Sequence, residues 1–347
     1  YSFEEFQVMR LEEIPSFFCG SFNPYKDIDI ELYSPNHRVH PAVIQYNDIE
    51  KFGDEYFNKS WPTKVIIHGF ISGNNWFDDL APHFSEKIYG TNSGVLNHHN
   101  LISINWRKGA SYTYMCAHQF VESVGNLAGD FIYRASNAQK MNLSTVEIIG
   151  HSLGAHVAGF IGKSVHSQSK GKMSIQRIIA LDAAGPCFHS MIPPFTCLFL
   201  RHDLELKRED ANEVIALHTN SRKIMQVSSI FPLFSKGYWG LLGTVDLWLN
   251  GGMVQDDNTN ILSHLFAVKY YLHIMYMEKP LTGYTFNFDD VDSKYTETAM
   301  LEEMKKNYMN PIEKVSIFFN ETLNQKLGNR IALFVDTNSV ENDPTIP

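Results

Sequence analysis

Short apolar runs, rich in β-branched residues, recur along the chain at Lys64–Ile67, Leu101–Asn105, Val146–Ile149, Arg177–Leu181 and Glu213–Leu217. Each leads into a polar or glycine-bearing loop. Between the second and third runs the period changes. Phe120, Val124, Leu127, Ala128 and Phe131 fall at i, i+4, i+7, i+8 and i+11, one apolar face of a helix. Strands alternating with helices predict an α/β fold, a mostly parallel sheet with helices on both faces. Short, apolar strands suit a sheet buried on both sides. In such sheets the chemistry lies beyond the carboxyl ends of the strands, so the residues that follow each run are the candidates.

After Val146–Ile149 comes Gly150-His151-Ser152-Leu153-Gly154, the G-x-S-x-G pattern of a nucleophile elbow. A serine on a tight strand-to-helix turn projects its hydroxyl from the sheet, and small neighbours let strand and helix pass closely. The segment after it, Leu153–Gly162, carries Ala155, Ala158 and Gly159 and predicts a closely packed helix. A serine hydroxyl needs a base, and the base needs an orienting acid. Asp182, directly after Arg177–Leu181, is the best-placed acid; Asp203 and Asp246 read as solvated loop charges. The bases available after Asp182 are His189, His202, His218, His264 and His273. Spacing favours His264, which opens a helix-like run, Ser263–Met277, after a loop. An oxyanion needs two backbone N–H donors. Leu153 supplies one, and the His68-Gly69-Phe70 turn after Lys64–Ile67 offers Phe70 as the other.

Composition bounds the remaining classes. The 347 residues carry 29 basic against 38 acidic side chains, net −9. An acidic chain without a Lys/Arg cluster has no basis for tracking phosphates, so no nucleic-acid partner is expected. The longest apolar stretches, such as Met191–Leu200, are far shorter than a spanning helix needs. Gly162-Lys163-Ser164 imitates the end of a phosphate loop, but Val157 stands where the first glycine belongs. His98-His99 lacks a nearby ligand set and reads as a surface pair. Four cysteines (Cys19, Cys116, Cys187, Cys197) and three sequons (Asn58, Asn142, Asn320) favour a secreted, glycosylated protein with two disulfides. Three pairings are open at this point.

Several motifs in order then carry a resemblance: Trp61–Phe70, Asn105-Trp-Arg-Lys-Gly109, Gly150–His156, Leu181-Asp-Ala-Ala-Gly-Pro186, Val214–Thr219 and Asn250-Gly-Gly252. Colinear from about residue 60 to 280, they resemble the pancreatic lipase family, in particular its short secreted insect phospholipase A1 branch. The resemblance implies an α/β-hydrolase fold, a triad of Ser152, Asp182 and His264, oxyanion donors Phe70 and Leu153, and hydrolysis of lipid esters without a cofactor. It also implies an extracellular protein meeting lipid at a membrane or lipid-droplet surface, as a monomer. The family's proline after the triad aspartate is replaced here by Ala183. Its calcium-type acidic cluster matches only at Asp210, with Glu205 and Lys207 at the other positions, so no metal is expected. The 83 residues after His264 leave no room for the family's C-terminal lipid-binding β-sandwich, and residues 1–347 read as one catalytic domain. The stretch Phe288–Lys326 departs most from the family and is unassigned.

The insect enzymes that the chain resembles have an N-terminal tether, which implies Cys19–Cys116 and leaves Cys187–Cys197 to close a short loop after Asp182. In this family the segment between Asn-Gly-Gly and the triad histidine carries the lid, long and disulfide-closed in triacylglycerol lipases. Here Met253–Ser263 is 11 residues without a cysteine, and contains Asp256-Asp257-Asn258. This lidless pattern points to phospholipase A1 acting on the sn-1 acyl ester; a triacylglycerol or galactolipid lipase is the alternative. Some relatives are non-catalytic lipid binders or yolk-type storage proteins, and the retained triad argues against that class. The 26-residue loop Asn220–Val245 holds Ile230–Phe234, Tyr238 and Trp239, with Arg222 and Lys236. It is expected to wall an acyl groove rather than pack on the core.

Overall fold

The computed structural model describes residues 19–49, 56–70, 80–90, 98–188, 203–221, 237–253, 255, 260–275, 281–294, 297–309, 314–317 and 331–337. Eleven strands form one sheet in the order β10-β9-β11-β8-β7-β6-β5-β3-β4-β1-β2. They are β1 (Asp29–Ser34), β2 (His37–Ile44), β3 (Thr63–Ile67), β4 (Asn100–Asn105), β5 (Val146–His151), β6 (Arg177–Leu181), β7 (Glu213–His218), β8 (Val245–Leu249), β9 (Leu281–Thr285), β10 (Lys314–Ile317) and β11 (Ile331–Val335). The seven central strands, β4 to β11, run parallel. Antiparallel strands close each edge: β1 and β2 beside β4, β9 and β10 beside β11. This is the α/β-hydrolase fold, and each of the five runs read from the sequence is a central strand.

The faces divide as a period of two requires. Val65, Ile67, Ile102, Ile104, Ile148, Ile178 and Val214 turn to one side. There they meet α2 (Tyr114–Asn137) and α3 (Leu153–Gln168). Ile66, Leu101, Ile149, Ile179, Leu181, Ile215 and Leu247 turn to the other, against α1 (Ala81–Tyr89) and α4 (Asn260–Ile274). A third cluster gathers Trp239, Trp248, Met253, Phe286, Val291 and Met304, and involves α5 (Glu297–Met309). The unassigned C-terminal stretch therefore adds two helices, the short Phe288–Asp292 and α5, and the strand β10.

Trp239 departs from the expected groove wall. It is buried, lies edge-on to Trp248 at 5.0 Å, and its Nε1–H donates to Asp292 Oδ1 at 2.8 Å. A large indole gains most by leaving water when its N–H finds a partner, and this one does. Tyr238 is half-buried, packs against the core, and its hydroxyl donates to Glu205 Oε2 at 3.2 Å; Ile230–Phe234, Arg222 and Lys236 lie outside the described residues. Cys19 and Cys116 form a disulfide that ties the N-terminal segment to α2. Cys187 is also disulfide-bonded, and its expected partner Cys197 lies outside the described residues. Among the described residues, no helix is long and apolar enough to cross a membrane.

Candidate active site

Ser152 sits between β5 and α3 with φ 57° and ψ −122°. That backbone is uncommon for a residue with a Cβ, and costs on the order of 1–3 kcal/mol unless its surroundings impose it. Here they do. The Ser152 N–H donates to Leu181 O at 3.1 Å, and the Ser152 carbonyl accepts from Ala155 N (3.1 Å) and Ala184 N (3.2 Å). The elbow is thus tied to the segment that carries Asp182. A Cβ on Gly154 would lie 2.3 Å from Ile67 O, and one on Gly69 would lie 2.6 Å from Ser152 Cβ. Both positions must be glycine because the β3 turn passes directly against the Ser152 turn.

That turn is braced by a tryptophan. The Trp106 backbone N–H donates to His68 Nε2 at 3.2 Å, so His68 carries its proton on Nδ1, from which it reaches Gly69 O at 3.0 Å. The Trp106 Nε1–H donates to His68 O at 2.8 Å, and the two rings stack with centroids 5.6 Å apart. His68-Gly69-Phe70 is therefore held on both its backbone and its side chain. Phe70 is half-buried, edge-on to Tyr114. Leu153 is the first residue of α3, where the N–H groups have no partner within the helix.

Asp182, fully buried, follows β6 with φ 43°. Its Oδ1 accepts from Thr219 N (2.9 Å) and Asn220 N (3.0 Å), directly past β7. Its Oδ2 accepts from His264 Nδ1 at 2.5 Å. Three donors converge on one carboxylate and fix its orientation. This bond places the His264 proton on Nδ1 and leaves Nε2 to accept. His264 is the fifth residue of α4, which begins at Asn260, earlier than the run from Ser263 expected from sequence. The His151 Nε2–H, next to Ser152, donates to the His264 carbonyl at 3.2 Å, and the two rings lie 4.5 Å apart. Burial keeps the His151 ring far below the ordinary histidine value, and the nearby His264 acts in the same direction. Ser152 and His264 are each 7% exposed, so the site is nearly closed to bulk water while its acid is wholly sealed.

Asp246 corrects the sequence reading. It is not a loop charge but the second residue of β8, fully buried. Its Oδ1 accepts from His218 Nε2 at 2.9 Å and Leu242 N at 2.9 Å, its Oδ2 from Gly243 N at 3.1 Å. His218 stacks on Trp248 at 4.2 Å, and its Nδ1 lies 3.2 Å from Ser221 Oγ. This pair removes His218 from the candidate bases. His189 and His202 lie outside the described residues, while Asp203 is exposed as expected. Lys163 lies within α3, where its ammonium meets Asp210 Oδ2 at 2.5 Å and Glu205 O at 3.2 Å. A helix interior paired to a carboxylate is no phosphate loop. Among the described residues, no cluster of His, Cys, Asp and Glu could hold a metal ion.

Asn58 and Asn142 are exposed, and each side chain accepts from the backbone N–H of the serine two residues on. Asn320 lies outside the described residues. The motif reading gave no role to Trp106, His151, Thr219, Asn220 or Gln255. A tryptophan directly after a strand, in a quoted motif, was the available signal for Trp106; nothing in the chain marks Gln255.

The arrangement has relatives. Phospholipase A1 4 of Polistes dominula is 32% identical over 274 residues, covering 74% of this chain and 75% of its own. Phospholipase A1 of Polybia paulista is 27% identical over 278 residues, covering 75% and 76%. Pancreatic lipase-related protein 2 of Cavia porcellus is 27% identical over 259 residues, covering 73% and 52%. The Lipase family model matches residues 23–287. With that span and these relatives, the chain belongs to the lipase family.

Proposed function

We propose that this protein is a secreted carboxylester hydrolase acting on lipid, a phospholipase A1 that cleaves the sn-1 acyl ester of phospholipids. The observation that carries the reading is the short Asp182–His264 bond beside the Ser152 elbow, in a chain 32% identical to a phospholipase A1. His264 Nε2 takes the Ser152 proton as Oγ attacks the ester carbonyl. The oxyanion is met by the N–H groups of Phe70 and Leu153. Collapse returns the proton from Nε2 to the departing lysophospholipid alcohol and leaves an acyl-serine. A water molecule then gives one proton to His264 as it attacks the acyl carbon, and collapse breaks the acyl–Oγ bond, His264 returning that proton to Ser152 Oγ as the fatty acid leaves. Asp182 stays ionised throughout, fixing the tautomer and stabilising the imidazolium.

The choice of substrate rests on the lid segment. Met253 and Gln255 are both buried, and α4 already begins at Asn260. So little chain between two anchored points cannot make an apolar helix to open at an oil surface. A disulfide and two exposed sequons support passage through an oxidising, glycosylating compartment. The protein works as a monomer against a membrane or lipid-droplet surface.

The test is a side-by-side assay on phosphatidylcholine, galactolipid and triacylglycerol emulsions, with Ser152→Ala as control. Release of sn-1 fatty acid from phosphatidylcholine by the native protein, abolished in the variant, is the expected result. A steep rate increase on triacylglycerol above its solubility limit, with little phospholipid turnover, would refute the substrate and leave the triad standing. Failure of a fluorophosphonate to label Ser152 would instead point to a lipid carrier.

A further inference from the structure

Gln255 is the one described residue between Met253 and Asn260, in the segment that would otherwise be read as a vestigial lid. It is 1% exposed, and its backbone N–H and both carboxamide atoms are engaged. Its Nε2 donates to Thr219 O at 2.9 Å and to Leu249 O at 3.2 Å. Its Oε1 accepts from Asn250 Nδ2 at 3.1 Å, and its backbone N–H donates to Ser263 Oγ at 3.1 Å.

Each partner has a place in the site. Thr219 is one of the two residues whose N–H groups hold Asp182 Oδ1. Ser263 directly precedes His264, which holds Asp182 Oδ2. Leu249 ends β8, and Asn250, at φ 49°, is itself fixed by Thr337. The 218–221 segment is locked from its far side as well, because Ser221 N donates to Gly252 O at 2.7 Å and His218 is paired with Asp246. One residue thus holds the acid's cradle through its carboxamide and the helix bearing the base through its backbone N–H.

We propose that Gln255 is a positioning residue that sets the acid against the base. The inference rests on the hydrolase reading above. The planar carboxamide supplies two donors and one acceptor at fixed angles, which an aliphatic chain of equal volume cannot do. Without it the Thr219 and Leu249 carbonyls lose a buried donor, and the Thr219–Asn220 cradle and the α4 N-terminal turn can shift independently. A shift of that kind acts on proton transfer through geometry, not on lipid binding.

The experiment compares the full-length native protein with Gln255→Met and Ser263→Ala. Assays use phosphatidylcholine vesicles, with the downfield proton resonance of the Asp182-bound His264 Nδ1–H as a second readout. For Gln255→Met the expected outcome is a fall in kcat of about 100-fold, as a displacement near 1 Å produces. KM should stay within about twofold, since an interaction needed only in the transition state lowers kcat and kcat/KM together. The Nδ1–H resonance should shift or broaden. Ser263→Ala should show the same pattern more weakly, and decides the matter if Gln255→Met does not fold. A folded Gln255→Met with native kcat and an unchanged resonance overturns the proposal, as does Ser263→Ala at full kcat when the other variant is unfolded. A native protein that no fluorophosphonate labels would overturn the hydrolase reading itself, a result separate from either.

Discussion

At the residue scale, the site depends on single hydrogen bonds whose removal leaves volume nearly unchanged. Asp182→Asn keeps the shape but turns one acceptor into a donor facing His264 Nδ1, which drives the imidazole to the wrong tautomer. We expect a loss in kcat of about 10⁴-fold with the fold retained, read by steady-state hydrolysis and circular dichroism. Trp106→Phe removes the Nε1 donor to His68 O but keeps the ring stack and the backbone N–H. The oxyanion turn then loses one of its two holds. Loss of an oxyanion donor itself costs about 2.7–4 kcal/mol of barrier, and loosening its support should cost less, about tenfold in kcat by the usual conversion. Unchanged turnover in purified Trp106→Phe would show that the turn is fixed by the backbone alone.

Elements carry a different lesson, most visible at the amino ends of the central strands. Lys64, Glu147, Arg177 and Glu213 are successive cross-strand partners on β3, β5, β6 and β7. Their charges alternate. Glu147 meets Lys64 Nζ at 2.5 Å and Arg177 at 3.4 Å, and Arg177 meets Glu213 at 2.5 Å. Tyr271 of α4 donates to Glu147 at 2.8 Å, so the ladder also fastens a helix to the sheet. Burial alone would raise the Glu147 carboxyl; the two cations and the two hydrogen-bond donors outweigh it and bring it down to about 2. A carboxyl lowered on folding stabilises above its unfolded value and loses that contribution as pH falls toward 2. Acid titration of native stability should therefore show a decline below about pH 4.5. Glu147→Leu should flatten that decline and remove about 3–5 kcal/mol at neutral pH, because it leaves Lys64 without its carboxylate in a nearly buried place, while Arg177 keeps Glu213. Denaturant unfolding across pH tests both. An acid limb identical in the variant would assign the decline to other carboxyls.

On the scale of the whole molecule, two opposite ends do different work. Ser152, Asp182 and His218 follow the carboxyl ends of their strands or close them, while Asn58 and Asn142 precede the amino ends of β3 and β5. Glycans at Asn58 and Asn142 would cover the end away from the site and leave the lipid-facing end bare. Expression in secretory cells should give a glycosidase-sensitive mass step at each of these two sites, lost singly in Asn58→Gln and Asn142→Gln, with hydrolysis unaltered by either. A glycan-free native protein would refute this reading. The Cys19–Cys116 bond spans 97 positions and fastens the chain's start across the helical face. Replacing both by serine should lower stability by about 2–4 kcal/mol, measured by denaturant midpoint, and leave kcat intact because the bond lies outside the site.

Local pattern alone marked five of the seven central strands, the turn at Ser152, Asp182 directly after β6 and the His68-Gly69-Phe70 turn. Each is written within a few adjacent residues: a β-branched run, then the residue that must follow it. His264 was reachable by spacing and motif, though not by periodicity, since α4 is apolar nearly all round. What only the tertiary structure decided are pairings between residues far apart. Asp246 reads as a loop charge until β7 and β8 lie side by side and His218 turns to it across the strand pair. Trp239 reads as a groove wall until Trp248 and Asp292 arrive to take its ring and its N–H. Gln255 has no local signal at all, because its partners lie on three separate elements. Burial of a polar group is affordable only when its partners are already in place, and register between strands, not the order of residues, puts them there.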